Sequence, residues 1–435
     1  MSSNLNHALQ LAHDWQIESF ATPEQATPGV TGNDDTSKSR FILNRLFQHF
    51  PVSFAVRLWN GSMLYIGKES PAFTLCLEQA SVLRDMVLFN DPARLAEAYF
   101  SGEVQILGDF DAAMELRYYF ESLSLPLTEK LGLVYRALTL ADSQSEPDTS
   151  QLTDISQNQP DYSNTPNTLD YHAPSDFYRL WLDDKMLHSC AYFCDANQDL
   201  AQAQHNQLDL ICLKLHLQHG DTLLDIGGSW GGLACWAARH YGVFVHCLTH
   251  NPQQHAYVVA EVQKQGLDKL VTVELYHYRD LPDTPRYDKV VSIGLTSQIG
   301  EHKLPDYLAK VHAVLKPGGL FLDHQVTTES PGRQHEISTG FINRQVFPDG
   351  ELCSLTHIRQ QMQSARLEVF DVEGLRRHHA LTLRRWVSRL EQRHQEIAAS
   401  FGERTYRVWR LYMTASAIQF EQGVTGIHQI LAVRR

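Results

Sequence analysis

A glycine-rich turn, Leu224-Asp-Ile-Gly-Gly-Ser-Trp-Gly-Gly232, has the clearest capacity for chemistry in this sequence of 435 residues. It lies between an apolar run and a helix-like segment, where glycines let the backbone approach a bound nucleotide and the helix N-terminus offers unpaired N–H groups. A dinucleotide site requires G-x-G-x-x-G and an acid about 20 residues further on. Residues 247–251 read Cys-Leu-Thr-His-Asn instead. The turn therefore disfavours hydride chemistry, and it indicates either a different nucleotide-like ligand or a turn that only serves close packing.

The elements that would position this turn form a regular series. Short apolar runs alternate with long helix-like segments after residue 169, which is typical of a parallel sheet with crossover helices. The runs cover residues 221–228, 243–250, 271–278, 287–294 and 320–326. The fold class is therefore predicted to be α/β, and a strand-like run at 427–433 closes the chain.

Changes in composition predict the domain boundaries. Residues 1–37 are polar and weakly patterned, as in a flexible leader, and residues 38–125 mix strand-like and helix-like runs, as in a small α+β domain. Residues 140–168 are rich in Ser, Thr, Asn, Gln, Asp and Pro and predict a polar linker. Residues 169–435 then form the large α/β domain.

Charge and hydropathy limit the functional classes. The net charge of −13 argues against a nucleic-acid binder, although residues 376–435 carry eleven Arg against four Glu. That arginine-rich tail indicates either a surface for phosphate headgroups or a solvated helical face. The start lacks signal-peptide features, no uninterrupted apolar stretch approaches 18 residues, and the seven cysteines suggest no disulfide framework. We therefore expect a cytoplasmic protein whose membrane contact is peripheral.

Several blocks along the chain resemble one family. They include PARLAEAYFSGEVQILGDFD, YHAPSDFYRLWLDDKMLHSCAYF, the glycine-rich turn, VSIGLTSQIG and TLRRWVSRLEQRHQ. Together they resemble the cyclopropane-fatty-acyl-phospholipid synthases from about residue 40 to the C-terminus. The resemblance implies a doubly wound, Rossmann-like methyltransferase sheet with an N-terminal domain and helical insertions at a lipid site. It also implies S-adenosylmethionine (SAM), phospholipid acyl chains at the inner face of the membrane, and a homodimer.

The same resemblance implies a catalytic site around a bicarbonate ion that removes a proton. Cys190 and His324 match the family's pattern in this sequence. Ser297 stands where the family has glutamate, and His379 stands where it has tyrosine. Serine lacks the glutamate's charge, and imidazole differs from phenol in pKa and geometry, so the base site is altered.

The implied SAM site is also partly changed. Five residues match the family's pattern: Asp225, Gly227, Gly231, Thr249 and Gln254. Ser229 replaces a glycine, His188 replaces a tyrosine, and His277 replaces an acid near the adenine. Ser189 and Tyr276 adjoin these positions and complete the predicted cofactor-binding set.

The histidine substitutions leave the reaction open at this point. One hypothesis is methyl or methylene transfer from SAM to a carbon–carbon double bond. A second is a different lipid reaction on the same fold, such as O2- or metal-assisted oxidation towards a furan fatty acid, although no metal-spacing motif supports a metal. A third is a non-catalytic lipid-binding relative. Trp230 and Tyr192 are candidates for lining an acyl channel, with ordinary core packing as the alternative.

Overall fold

The computed structural model describes residues 32–89, 91–140, 173–328 and 352–435. Its first part combines a small sheet with helices. In chain order these elements are α1 (Gly32–Leu46), β1 (Phe54–Arg57), β2 (Met63–Ile66), β3 (Phe73–Leu77), α2 (Ala80–Phe89), α3 (Pro92–Ser101), β4 (Val104–Gly108), α4 (Phe110–Ser122) and α5 (Leu127–Leu138). The sheet order is β2-β1-β3-β4, with β1 and β3 parallel and the other two pairs antiparallel.

Local sequence signals fix the ends of these helices, as α3 shows. The Asp91 side chain accepts a hydrogen bond from the backbone N–H of Ala93 at 2.9 Å, and Pro92 occupies the first turn. Gly102 ends the helix at φ +91°, a left-handed conformation that favours glycine. The sequence at both ends of α3 therefore accounts for where the helix begins and ends.

The second part contains a larger sheet flanked by helices. Its elements are α6 (Ser175–Arg179), α7 (Leu200–Lys214), β5 (Thr222–Ile226), α8 (Gly232–Tyr241), β6 (Phe244–Thr249), α9 (Pro252–Lys264), β7 (Val271–Leu275), β8 (Tyr287–Ile293), α10 (Thr296–Ile299), α11 (Leu304–Val314), β9 (Leu315–Thr328), α12 (Leu355–Ser364), β10 (Leu367–Gly374), α13 (Arg376–Gln392), α14 (His394–Phe401), α15 (Glu403–Gln422) and β11 (Thr425–Arg434).

The strand order of this sheet is β10-β11-β9-β8-β5-β6-β7. Strands β5 to β9 are parallel, and β11 runs antiparallel to both β9 and β10. The direction of crossover reverses between β5 and β8, and doubly wound sheets bind ligands beyond the carboxyl ends of the strands at such a point. The predicted doubly wound α/β fold class is confirmed, and the position of the glycine-rich turn after β5 places it at the switch point.

The structure differs from the predicted boundaries at two places. Residues 32–37, predicted as part of a flexible leader, lie in α1, whereas residues 1–31 lie outside the described residues. Helix α5 falls between the predicted domain end at residue 125 and the linker at residue 140. Its Leu133 and Ala137 are buried in the same apolar cluster as α1 and α2. From residue 141 onward, the predicted linker also lies outside the described residues.

The arginine-rich tail packs on the first part of the chain. Arg384 on α13 contacts Asp111 at 2.6 Å, and Arg404 on α15 contacts Glu97 at 2.7 Å. Arg407 donates a hydrogen bond to the carbonyl of Tyr99 at 2.9 Å. Much of the tail's positive charge is therefore paired within the protein, and a role for the remainder at phosphate headgroups stays a prediction. Among the described helices, we find none that is long and apolar enough to cross a membrane.

Candidate functional site

The turn after β5 is tied to the neighbouring strand by its backbone. The N–H groups of Gly227 and Gly228 both donate to the carbonyl of Leu248, at 3.0 and 2.9 Å. Gly227 has φ +77°, and a Cβ there would find only the Leu295 side chain, at 3.8 Å. Gly227 also lines the polar pocket described below, so its backbone borders the space that the predicted cofactor role requires.

Gly231 has a packing reason for being glycine, and its predicted cofactor role stays a prediction. It precedes α8 at φ +77°, and a Cβ at this position would lie 2.5 Å from Cγ1 of Val258 on α9. The missing side chain therefore allows the two helices to pack closely, which is the structural reason for glycine here. The sequence pattern alone did not distinguish this packing role from contact with a cofactor.

Two buried polar atoms near the turn lack partners in the described structure. Ser229 adopts φ +48°, and its Oγ is buried without a hydrogen bond to any described residue. Oδ2 of Asp225 is likewise buried and unpartnered there, and the residue is 2% exposed. Burial raises the pKa of the Asp225 carboxyl to about 7. Buried polar atoms are normally satisfied, so both point to a polar ligand at the end of β5.

A polar pocket lies beside the turn, and four of the predicted cofactor residues line it: Gly227, Thr249, Tyr276 and His277. Gln254 is not among its lining residues but accepts a hydrogen bond from Oγ1 of Thr249 at 3.0 Å, so it holds that side chain in place. Nδ1 of His277 accepts from the backbone N–H of Arg279 at 3.2 Å. Burial lowers the pKa of His277, which therefore does not supply the negative charge of the acid it replaces.

A second cavity of about 180 Å³ has mainly apolar walls. Five predicted residues line it: His188, Ser189, Cys190, His324 and His379. Trp386, Tyr412 and Phe420 form its aromatic wall, and no charged side chain is among its described lining residues. Hence residues predicted for the cofactor site (His188, Ser189) and for the catalytic site share one cavity.

Three imidazoles meet in this cavity from separate parts of the chain. His188 precedes α7, His324 lies on β9, and His379 lies on α13. Burial lowers the pKa of His188 to about 4 and those of His324 and His379 to about 3. All three rings are therefore neutral near pH 7. In the described parts of the chain, no group of three or more His, Cys, Asp or Glu residues is arranged to hold a metal ion.

The remaining predicted residues are held by neighbouring groups. Sγ of Cys190 donates to the carbonyl of Ala191 at 3.3 Å, and burial raises its pKa, so the thiol is neutral. The hydroxyl of Ser189 exchanges hydrogen bonds of 3.0 and 3.2 Å with Gln207. Ser297 belongs to α10, and its side chain lies outside the described part of the structure.

Sequence reasoning missed several contributors to the cavity. Nε2 of Gln429, on β11, lies 3.4 Å from Nδ1 of His324. Nothing local in the sequence marks this glutamine, because it reaches the site only through the antiparallel pairing of β11 with β9. Trp386 lies in TLRRWVSRLEQRHQ, one of the blocks that resemble the family, but it was not among the predicted site residues. The candidates Trp230 and Tyr192 are absent from the cavity lining, and Trp230 is buried in the core.

Comparison with known proteins identifies the family. The model described as mycolic acid cyclopropane synthetase matches residues 157–430. The probable fatty acid methyltransferase of Pseudomonas putida is 35% identical over 390 residues, which are 89% of this chain and 92% of that protein. The cyclopropane-fatty-acyl-phospholipid synthase of Escherichia coli strain K12 is 34% identical over 264 residues, 61% of this chain and 66% of that protein.

Solved structures agree with this result. The cyclopropane synthase MmaA2 from Mycobacterium tuberculosis has a TM-score of 0.57 at 29% identity and covers 64% of this chain and 100% of its own. The mycolic acid cyclopropane synthase CmaA1, complexed with SAH and CTAB, has a TM-score of 0.58 at 29% identity, covering 63% of this chain and 99% of its own. The chain therefore belongs to the mycolic acid cyclopropane synthetase family and is a SAM-dependent methyltransferase-like enzyme.

Proposed function

We propose that this enzyme transfers a methyl group from SAM to a carbon–carbon double bond in an acyl chain of a membrane phospholipid. The observation that carries the proposal is that consecutive residues, directly after β8, line the polar pocket and the apolar cavity. Gly294 lines the cavity, and the next residue, Leu295, lines the pocket. A polar methyl donor and an apolar acceptor bound in these two spaces would be neighbours, which is the arrangement that group transfer requires.

The residues of the turn fit SAM. The backbone of Gly227 borders the polar pocket, and the unpartnered Asp225 carboxylate offers an acceptor for an ammonium group. The unpartnered Ser229 hydroxyl can donate to a carboxylate or accept from an amine. When bound, SAM supplies an electrophilic methyl group. Asp225 and Ser229 would hold its amino-acid portion, and Thr249 and Tyr276 would line the remainder of the pocket.

The cavity fits a hydrocarbon chain during a reaction that generates positive charge. Its described walls carry no charge, so an acyl chain loses little by entering it. Addition of a methyl group to a double bond leaves a cation on the chain. The aromatic rings of Trp386, Tyr412 and Phe420, which line the cavity, can stabilise that cation.

Bicarbonate, which the resemblance implied, meets no charged partner among the described residues of this cavity, although Nε2 of Gln325 and Oγ1 of Thr425 are buried there without partners. A buried anion needs a partner charge or a full set of donors. The three imidazoles are neutral, the thiol of Cys190 donates to a backbone carbonyl, and Ser297 and His379 replace two members of the implied set. We therefore derive no step of the reaction through bicarbonate.

The test is the composition of acyl chains after expression in a host that lacks its own synthase. We expect mass spectrometry of the phospholipids to show unsaturated chains that have gained one carbon, with the label from methyl-labelled SAM in the added carbon. Purified enzyme should give the same product with vesicles of unsaturated phospholipid. Oxygenated products that form only with O2 would instead support the oxidative alternative. Failure to transfer the label to any lipid would refute the proposal.

Peripheral membrane association and a homodimer belong to the same proposal. An exposed apolar stripe on α5 supports association: Leu131, Tyr135 and Leu138 recur at i, i+4 and i+7, with 61%, 72% and 60% of their surfaces exposed. We assign this stripe to contact with a second copy of the chain. Sedimentation should show a dimer for the wild type and a monomer for L131K/L138K. An unchanged dimer, or a loss of vesicle binding without a change of mass, would refute the assignment.

A further inference from the structure

Completion of the proposed reaction requires a base beside the acyl chain. A chain that has accepted a methyl group at a double bond carries a positive charge on the neighbouring carbon. It reaches a neutral product only by losing a proton. Among the described residues that line the apolar cavity there is no Asp or Glu, and the Cys190 thiol is held neutral by burial. The imidazoles of His188, His324 and His379 are therefore the proton acceptors available in this part of the structure.

Packing distinguishes the three rings. The His188 ring is enclosed by aromatic side chains, with the ring centroids of Tyr178, Trp181 and Trp386 at 5.4, 5.4 and 5.2 Å. His324 is 1% exposed, and its Nδ1 lies 3.4 Å from the amide of Gln429. Nε2 of His324 is, like Nδ1 of His379, buried without a partner among the described residues. The two rings differ in access, because His324 is fully buried on β9 whereas His379 is partly exposed.

His379 is held differently. Its ring meets Phe420 edge to face, at a centroid distance of 4.6 Å and an angle of 88°, and meets Trp386 at 6.1 Å and 90°. These contacts fix the plane of the imidazole without a hydrogen bond, and its Nδ1 is buried without a partner among the described residues. His379 lines the same cavity as His324 and His188. A neutral, oriented ring with an unused nitrogen is suited to accept a proton from a strong acid.

We propose that His379 accepts the proton lost from the methylated acyl chain, so that a side chain of this enzyme takes the place of a bound anion as base. This inference rests on the proposed function. The double bond supplies the electron pair that bonds the incoming methyl carbon, and the bond from that carbon to sulfur breaks with its pair on sulfur. His379 then takes a proton from the added methyl group, and the released C–H pair forms the bond to the positive chain carbon. The imidazolium returns its proton to solvent after product release, and no oxidant or reductant is consumed.

The first experiment measures whether wild-type turnover needs bicarbonate. Purified enzyme, unsaturated phospholipid vesicles and methyl-trideuterated SAM are combined in buffer freed of CO2, with and without added bicarbonate. We expect turnover to agree within about twofold in the two buffers, and the product to retain two deuterium atoms because the third is lost to the base. Loss of turnover without bicarbonate and its recovery on addition would overturn the proposal.

The second experiment removes the ring. H379A should lower turnover by about 100-fold or more, the range for loss of a general base, and added imidazole should restore about tenfold by occupying the space left in the cavity. The residual product should contain more chains with three deuterium atoms, because the proton then leaves from the chain. H379Q, which preserves more of the side-chain volume, should show the same isotope change without rescue by imidazole. A merely structural role would lower the yield without changing the isotope pattern.

The controls separate this inference from the proposed function. H240Q changes an exposed histidine on α8 and should match the wild type in every measurement. Both His379 variants should bind S-adenosylhomocysteine with wild-type affinity by calorimetry, because His379 does not line the polar pocket. Wild-type turnover and isotope pattern in both variants would refute the role of His379. Absence of any methyl transfer by the wild type would instead refute the proposed function itself.

Discussion

Replacement of Asp225 by asparagine should stabilise the ligand-free enzyme above pH 7 and weaken its binding of SAM. The carboxyl group is 2% exposed, and its Oδ2 has no partner in the described structure. Burial raises its pKa from 3.8 to about 7, a shift of about 3 units. At about 1.36 kcal/mol per unit, the ionised carboxylate costs the folded state up to about 4 kcal/mol.

The direction in which the free energy of unfolding changes with pH follows from the protons that the folded and unfolded states bind. The folded state holds a proton on Asp225 at pH values where the unfolded chain has lost it, so the wild type is most stable below about pH 4. It loses that stability as the pH rises through about 7. Asparagine is close to a protonated aspartic acid in shape and carries no charge. The D225N protein should therefore be more stable than the wild type by about 1.5 kcal/mol at pH 5, where part of the loss has already occurred, and by up to about 4 kcal/mol at pH 8.

The assay is urea denaturation at pH 5 and pH 8 for both proteins, without ligand. Asp323 is also buried with its pKa raised to about 7, so the wild-type curve alone contains both groups and only the difference from D225N isolates Asp225. Calorimetry should show about 10- to 100-fold weaker binding of SAM to D225N at pH 8, the effect of losing a charged hydrogen-bond acceptor. A D225N protein that is less stable than the wild type at pH 8, or a stability difference that is equal at both pH values, would refute the reasoning.

Two further substitutions, G231A and R384A, test packing contacts, and G266A is the control for G231A. G231A should cost about 3 kcal/mol in urea denaturation, because alanine is strained at φ +77° and its Cβ would collide with Val258. G266A, at φ +66° with no atom within 4 Å, should cost only about 1 kcal/mol, and equal losses would contradict the collision. R384A should cost about 1 kcal/mol and raise hydrogen exchange in α13, because it removes contacts to two carboxylates. Unchanged exchange in α13 would show that those contacts do not brace the helix.

The strands of the large sheet were predictable because buried parallel strands read as continuous apolar runs between turn residues. The exceptions are β10, which was not predicted, and β9, which was predicted from residue 320 but starts at Leu315. The sequence Lys316-Pro-Gly-Gly is typical of a turn, whereas Tyr287 pairs with Leu315 and Lys289 with Leu320, so these four residues form an irregular bulge within the strand. A turn and a bulge both use glycine at positive φ, so the local sequence could not separate them.

The convergence of the histidines could not be predicted in the same way. Sequence comparison suggested that His188, His324 and His379 occupy site positions, but it left open whether they meet. Their meeting depends on α13 and β11 returning to the sheet beside β9, which is a long-range property of the fold. Gly231 shows another limit of the sequence, because its motif did not reveal that glycine there also allows two helices to pack closely.

The contacts of α13 give the arginine-rich tail a role in the chemistry. Ala191 N–H donates to Oγ1 of Thr382 at 3.0 Å, which ties α13 to the segment that carries His188 and Cys190. The N–H of Leu375, just before the helix, donates to the carbonyl of Ile427 on β11 at 2.8 Å. Arg384, one turn beyond His379, then fastens the same helix to the first part of the chain. Displacement of α13 would therefore move His379 and open the cavity wall together, so the contact between the two parts of the protein bears directly on the position of the proposed base.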